Sequence, residues 1–209
     1  PGVCNVVTTT HAGSTVGGLL DDPRLRKLSF TGSTEVGRKL IASASSQVLR
    51  VSMELGGNAP FVVFDDADLQ AAVDGAVLAK MRNIGQACTA ANRFVVHESV
   101  AGEFATELAA RLGTMRMGPG TDPDVEVGPL VDDQACAKVA ELVDDACQHG
   151  ARALVGGGPI DGTGHFFAPT VLVDIAADAR IRREEIFGPV APITTFADEA
   201  EAIRSANDT

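Results

Sequence analysis

Apolar positions along this chain switch repeatedly between two spacings. Short continuous runs such as Phe61-Val62-Val63-Phe64 suit a strand buried on both faces, as in a parallel sheet. Between such runs, apolar residues recur every three or four positions, the period of a helix with one buried face. The first part of the chain predicts a strand over Val3–Thr8, a short helix over Ser14–Leu20 and a strand over Arg26–Phe30. A helix after Ser33 sets Val36, Leu40, Ile41 and Ala44 on one side, and Val48–Leu55 is extended again. The Phe61–Phe64 strand ends at an acidic turn. Asp68 can then cap a helix whose apolar face is Leu69, Val73, Ala76, Val77 and the stem of Lys80. Phe94–His97 reads as a strand.

The second half keeps the alternation. Val100, Phe104, Leu108, Leu112 and Met115 mark one helix, and a loop rich in Gly, Pro and Asp follows over Gly118–Pro129. Ala135, Val139, Leu142, Val143 and Ala146 mark another, stopped by Gly150. Strands are predicted at Ala153–Val155, Thr170–Val173 and Ile193–Phe196, and a helix at Ala197–Asn207. Strands alternating with helices imply an α/β protein with a largely parallel sheet. The strand–helix units lengthen after Leu55-Gly56-Gly57, which predicts a boundary between residues 1–55 and 56–209.

Composition narrows the class. At 209 residues the chain has room for one domain, or one plus part of another. With 45% hydrophobic and 22% charged residues, disorder is excluded as the main state. The net charge of −11 argues against nucleic acid or an anionic membrane as partner, since phosphates need basic patches. No run of 18 apolar residues is present for a transmembrane helix, and the first residues do not read as a signal peptide. The four cysteines, Cys4, Cys88, Cys136 and Cys147, fit neither a zinc pattern nor a disulfide scaffold. The four histidines are scattered, so no metal site is expected, and a cytoplasmic, reducing setting is the default. The chain opens on Pro1 and stops at Thr209 within two residues of a predicted helix, so both ends are read as cut.

Five features carry candidate chemistry. Cys88 follows Gly85-Gln86-Ala87. A thiol nucleophile must be ionised and reachable, and nearby amides can stabilise an oxyanion on the carbonyl it attacks. The alternative is a buried, inert cysteine. Cys4 falls in a predicted strand, Cys136 and Cys147 in a predicted helix, so those three read as packing residues. Glu54 ends an apolar strand just before Gly56-Gly57. Partly desolvated, it could act as a general base with a raised pKa; otherwise it is a loop carboxylate paired with a lysine or an amide. In Phe30-Thr31-Gly32-Ser33-Thr34-Glu35-Val36-Gly37 a strand passes through Gly32 and Ser33 into a helix. Free amides at a helix start favour a phosphate, although an ordinary capped helix fits equally. In Glu184-Glu185-Ile186-Phe187-Gly188-Pro189-Val190 a carboxylate could bind ribose hydroxyls and the aromatic could back a flat ring, or the segment is a turn between strands. Arg82, six residues before Cys88, could receive an anionic substrate group or pair with an acidic side chain.

Taken together and in order, FTGSTEVG, MELGGNAPFVVFDDADL, RNIGQACTAANRF and EEIFGPV resemble the aldehyde dehydrogenase superfamily, from about Val3 to Thr209. Glu54 precedes Cys88 by 34 residues, and Glu185 follows it by 97. The wording is most similar to the succinate-semialdehyde dehydrogenase branch. The resemblance implies that Cys88 is the nucleophile and Glu54 the general base. It implies that Gly32, Ser33, Leu55, Glu185 and Phe187 contact NAD or NADP. Arg82 would bind the carboxylate of a small aldehyde substrate such as succinate semialdehyde. The implied organisation is the tail of a Rossmann-type dinucleotide-binding domain, 1–55, followed by most of an α/β catalytic domain, 56–209. The family's oxyanion-hole Asn and adenosine-side Lys have no counterpart here, so the chain by itself is expected to be inactive. Its intact parent is expected to be a homodimer or homotetramer. Ala90 occupies the place of the second cysteine of redox-switch members, so no such switch is expected. A non-catalytic, truncated homologue serving association is the alternative, and simple ester hydrolysis by Cys88 a third.

Overall fold

Among the described residues the strands fall into a two-stranded and a five-stranded sheet. The structure, a computed structural model, describes residues 2–208 and divides into two units, one ending at Gly56 and the other starting at Gly57.

The first unit holds α1 (Ala12–Leu20), β1 (Lys27–Gly32), α2 (Thr34–Ser45) and β2 (Arg50–Leu55). β1 and β2 pair in parallel, from Lys27 opposite Arg50 to Gly32 opposite Leu55, and α2 forms the crossover. Parallel neighbours require such a crossover, which sets the β-α-β order. α2 approaches its sheet through small residues. Gly37 and Ala44 are buried, and a β-carbon on Gly37 would come within 2.6 Å of a Leu55 methyl. Val36 and Ile41, expected on the buried side, are exposed instead. The predicted strand at Val3–Thr8 is absent, and Val3, Val6 and Val7 are exposed. β-branched residues form a strand only beside a partner, and no described strand pairs with this segment.

The second unit contains β3 (Pro60–Val63), α3 (Leu69–Met81), β4 (Arg93–His97), α4 (Glu98–Gly113), α5 (Asp133–Gln148), β5 (Arg152–Val155), β6 (Thr170–Val173), β7 (Val190–Phe196) and α6 (Glu199–Asn207). Its sheet runs β3-β4-β7-β6-β5. β3, β4, β7 and β6 are mutually parallel, and only β5 runs against its neighbour. β4 is buried along nearly its whole length, because helices cover the sheet. Asp68 caps α3 by accepting from the Ala71 amide. The main core gathers Val73 and Ala76 of α3, Phe104, Leu108 and Leu112 of α4, Leu142 of α5, and Phe94, Val171 and Leu172 of the sheet. Phe94 stacks obliquely on Phe61 and Phe104, at centroid distances of 5.5 and 6.4 Å. Each such buried side chain contributes roughly 1.5–3 kcal/mol. A smaller cluster of Val95, Phe196 and Ala202 lies where α6 covers the sheet. The expected α/β class with a largely parallel sheet is the one observed. Among the described residues no helix is long and apolar enough to cross a membrane.

Candidate active site

β4 and β7 are parallel neighbours, with Phe94 opposite Ile193. The segment before β4 carries Cys88, and the segment before β7 carries Glu185 to Gly188. Parallel pairing therefore brings two turns, far apart in sequence, to the same edge of the sheet. It is the edge where β4 and β7 begin, whereas ligands in open α/β sheets more often gather at the opposite, carboxyl edge.

The cysteine turn is built on strained backbone. α3 stops at Met81, and Arg82 turns the chain with ψ of 120°. Asn83, Ile84 and Gly85 then take φ of 53°, 51° and 75°. A left-handed conformation is uncommon for a non-glycine residue and an outlier for a β-branched one; each costs on the order of 1–3 kcal/mol. Asn83 holds its place by donating from Nδ2 to the Gln86 carbonyl at 2.7 Å, and Ile84 is anchored by burial. Gly85 has no alternative, since a β-carbon there would overlap the carbonyl of Gly188. Gln86 accepts the Val131 amide at 2.9 Å, and the Ala90 amide closes the turn onto the Ala87 carbonyl at 3.0 Å. Cys88 is exposed on this turn. Among the described residues its amide donates to no protein acceptor, which leaves it free to donate to a ligand.

The facing turn is pinned by side chains. Asn92, buried, donates to the Glu184 carbonyl at 3.0 Å and accepts the Ile186 amide at 2.9 Å. It also donates to Asn58, which in turn donates to the Arg182 carbonyl at 2.8 Å. Lys138 donates to the Glu185 carbonyl at 2.7 Å. The two acidic residues here have different fates. Glu184 is paired with Arg180 at 2.7 Å, and that hydrogen bond holds its carboxyl below the usual range. Among the described residues the Glu185 carboxylate accepts only the Gly57 amide, at 3.4 Å, so it can take further donors. Phe187 has φ of 56° and keeps 38% of its surface exposed. Lys80 is 1% exposed and donates to the Gly188 carbonyl at 3.4 Å. Burial lowers its pKa to about 7, with the charge of Glu185 opposing the shift.

Arg82 is exposed and forms no ion pair among the described residues. It lines a cavity of about 190 Å³ with Leu78, Ala79, Ala87, Thr89 and Ala90. The residues on both sides of Cys88 thus share a wall with an unpaired guanidinium.

In the first unit, Ser33 caps α2 by accepting the Val36 amide at 3.3 Å. Glu35, in the first turn, is drawn along the helix to Lys39 at 2.6 Å, so its carboxylate is held by a cation near an end that favours anions. Gly32 closes β1, and Leu55 closes β2 with its side chain against Gly37. Glu54, opposite Thr31, is exposed; the expected partial desolvation is not observed within this unit. Cys4 and Cys147 are exposed as well, not packed as expected, because neither position faces a core. Cys136 is half-buried, and burial raises its thiol pKa. Sequence reasoning missed Asn58, Asn92, Lys80 and Lys138. For Lys80 the signal was a lysine on the apolar face of a helix; only its stem was expected inside.

The sequence matches the Aldehyde dehydrogenase family over residues 1–209. This chain belongs to the aldehyde dehydrogenase family. It is 58% identical over 206 residues to the succinate-semialdehyde dehydrogenase of Paenarthrobacter nicotinovorans, covering 99% of this chain and 46% of that protein. It is 50% identical over 208 residues to the succinate-semialdehyde dehydrogenase [NADP(+)] GabD of Escherichia coli, covering 100% of this chain and 43% of the relative. Among solved structures, the succinate-semialdehyde dehydrogenase of Burkholderia pseudomallei superposes with a TM-score of 0.93 at 46% identity, over 98% of this chain and 42% of its own. The aldehyde dehydrogenase fold is therefore shared throughout, and the chain spans less than half the length of these relatives.

Proposed function

We propose that the protein carrying this chain oxidises a small aldehyde bearing a carboxylate, such as succinate semialdehyde, to the acid. The observation that carries the reading is the exposed Cys88, on a strained turn with its amide free, beside a cavity lined by unpaired Arg82. The succinate-semialdehyde dehydrogenases among its relatives support the substrate class.

The residues present fit a nicotinamide dinucleotide, NAD or NADP. Ser33 and the start of α2 would receive phosphate, with Gly32 keeping the approach small. The partly free Glu185 carboxylate would accept ribose hydroxyls, and the exposed Phe187 ring would back the flat base. Leu55 would contribute backbone near the nicotinamide. When bound, the cofactor supplies a hydride acceptor.

In this reading Cys88, as thiolate, attacks the aldehyde carbon and forms a thiohemiacetal, while its amide donates to the oxyanion. Arg82 holds the substrate carboxylate and so fixes the distance from anion to carbonyl. Loss of the hydride of the former aldehyde carbon, to the acceptor that the cofactor would supply, leaves the acyl group on Cys88 as a thioester. Glu54 takes a proton from water, which attacks that thioester and frees the acid and the thiol. Mass spectrometry of the purified protein after incubation with succinate semialdehyde and NAD or NADP tests the scheme. An acyl adduct on Cys88, stabilised in Glu54→Gln and lost in Cys88→Ser, is expected. Undiminished turnover in Cys88→Ser would refute it.

A further inference from the structure

We propose that Lys80 is a positioning residue whose side-chain amine holds the Gly188 carbonyl against Gly85, joining the cysteine turn and the Glu185–Phe187 turn into one rigid piece. The inference rests on the function proposed above, because it assigns Lys80 a role in the geometry of that site.

The argument begins with burial. Lysine is almost never fully buried, and a methionine or leucine would fill the same space without desolvating an amine. Lys80 lies on the apolar face of α3, in the main core beside Ala76 and Met81. Among the described residues its nitrogen has one hydrogen-bond acceptor, the Gly188 carbonyl. That carbonyl also accepts the Val190 amide at 2.9 Å. It further sits where a side chain at position 85 would have to be. One oxygen thus meets the helix that leads into the cysteine turn, the turn itself and the start of β7.

The chain on both sides of this oxygen is strained. Asn83 and Ile84 are left-handed on one side, and Phe187 on the other. Strained backbone persists only where surrounding contacts over-determine it. Asn92 and Lys138 fix Glu184, Glu185 and Ile186, but neither reaches Gly188. Val139 packs against the α-carbon of Gly188, and Lys80 is the side chain that donates to its carbonyl. Removing its amine leaves the Gly188 carbonyl with the Val190 amide alone, so the close packing on Gly85 is no longer enforced.

Amide hydrogen exchange in the purified protein tests this, with Lys80→Met as the volume-conserving variant and Lys80→Leu beside it. Exchange should rise roughly tenfold over residues 84–90 and over 186–190 together. The interiors of β4 and β6 should keep the wild-type rate. A rise in only one turn, in neither, or equally throughout the sheet overturns the proposal. So does loss of cooperative unfolding in both variants, since Lys80 would then be a core group and no more. Alkylation of wild-type Cys88 in competition with exposed Cys4 and Cys147 is measured alongside. Failure of Cys88 to react selectively counts against the function proposed for the site. An unchanged exchange pattern with a selectively reactive Cys88 counts against the role of Lys80 alone.

Discussion

The carbonyl of Gly188 occupies the space that a side chain on Gly85 would fill. Residue 85 is also left-handed, with φ of 75°. Gly85→Ala therefore meets two penalties, a strained φ and a backbone atom that cannot swing aside. The substitution is expected to destabilise the fold by about 1–3 kcal/mol and to slow alkylation of Cys88, three residues away. Urea unfolding and thiol labelling check it. A variant with wild-type midpoint and labelling rate would show that the two turns move independently.

The buried amine of Lys80 makes stability depend on pH. Its pKa falls from 10.5 to about 7 on folding, so between those values the unfolded chain binds more protons. Stability must then rise with pH through this window. The penalty is complete below about 7 and relieved as pH approaches 10.5. Removing the group in Lys80→Met should flatten the dependence by up to about 1.4 kcal/mol per pH unit. Urea midpoints of both proteins at pH 7, 8 and 9 measure the difference. Parallel curves would mean that the amine is not desolvated as described.

Arg82 is expected to discriminate by charge. An exposed guanidinium with no ion-pair partner among the described residues can make a paired hydrogen bond to a carboxylate. Arg82→Ala should raise KM for succinate semialdehyde at least roughly tenfold, equivalent to about 1.4 kcal/mol, while an uncharged aldehyde of similar length is little affected. Steady-state kinetics with both aldehydes decide it. Equal effects on the two would remove the assignment.

Much of the fold could be read from local pattern. The Phe61–Phe64 run and the helix capped by Asp68 are present with boundaries shifted by only a residue, because strand burial and capping are local effects. Val3–Thr8 failed as a strand because pairing is not local: its β-branched residues have no described neighbour to bond. In the site, the residues marked by motif were visible, but those that hold them were not. Asn92 touches Asn58, Glu184 and Ile186, contacts that exist only once β4 lies between β3 and β7. Lys80 announced its stem through helical periodicity, yet nothing in the spacing said that its amine would also go inside.

That adjacency makes strand register the ruler of the site. Phe94 faces Ile193 across β4 and β7, and the two turns extend from the ends of those strands. A slip by one residue would displace one turn along the other by about 3.3 Å and reverse which face each strand side chain meets. The edge-on contact of His97 with Phe196, ring centroids 5.3 Å apart across β4 and β7, opposes that slip. A pair of rings at the far ends of the two strands is in this sense a gauge block: it sets the spacing of two turns that it never touches.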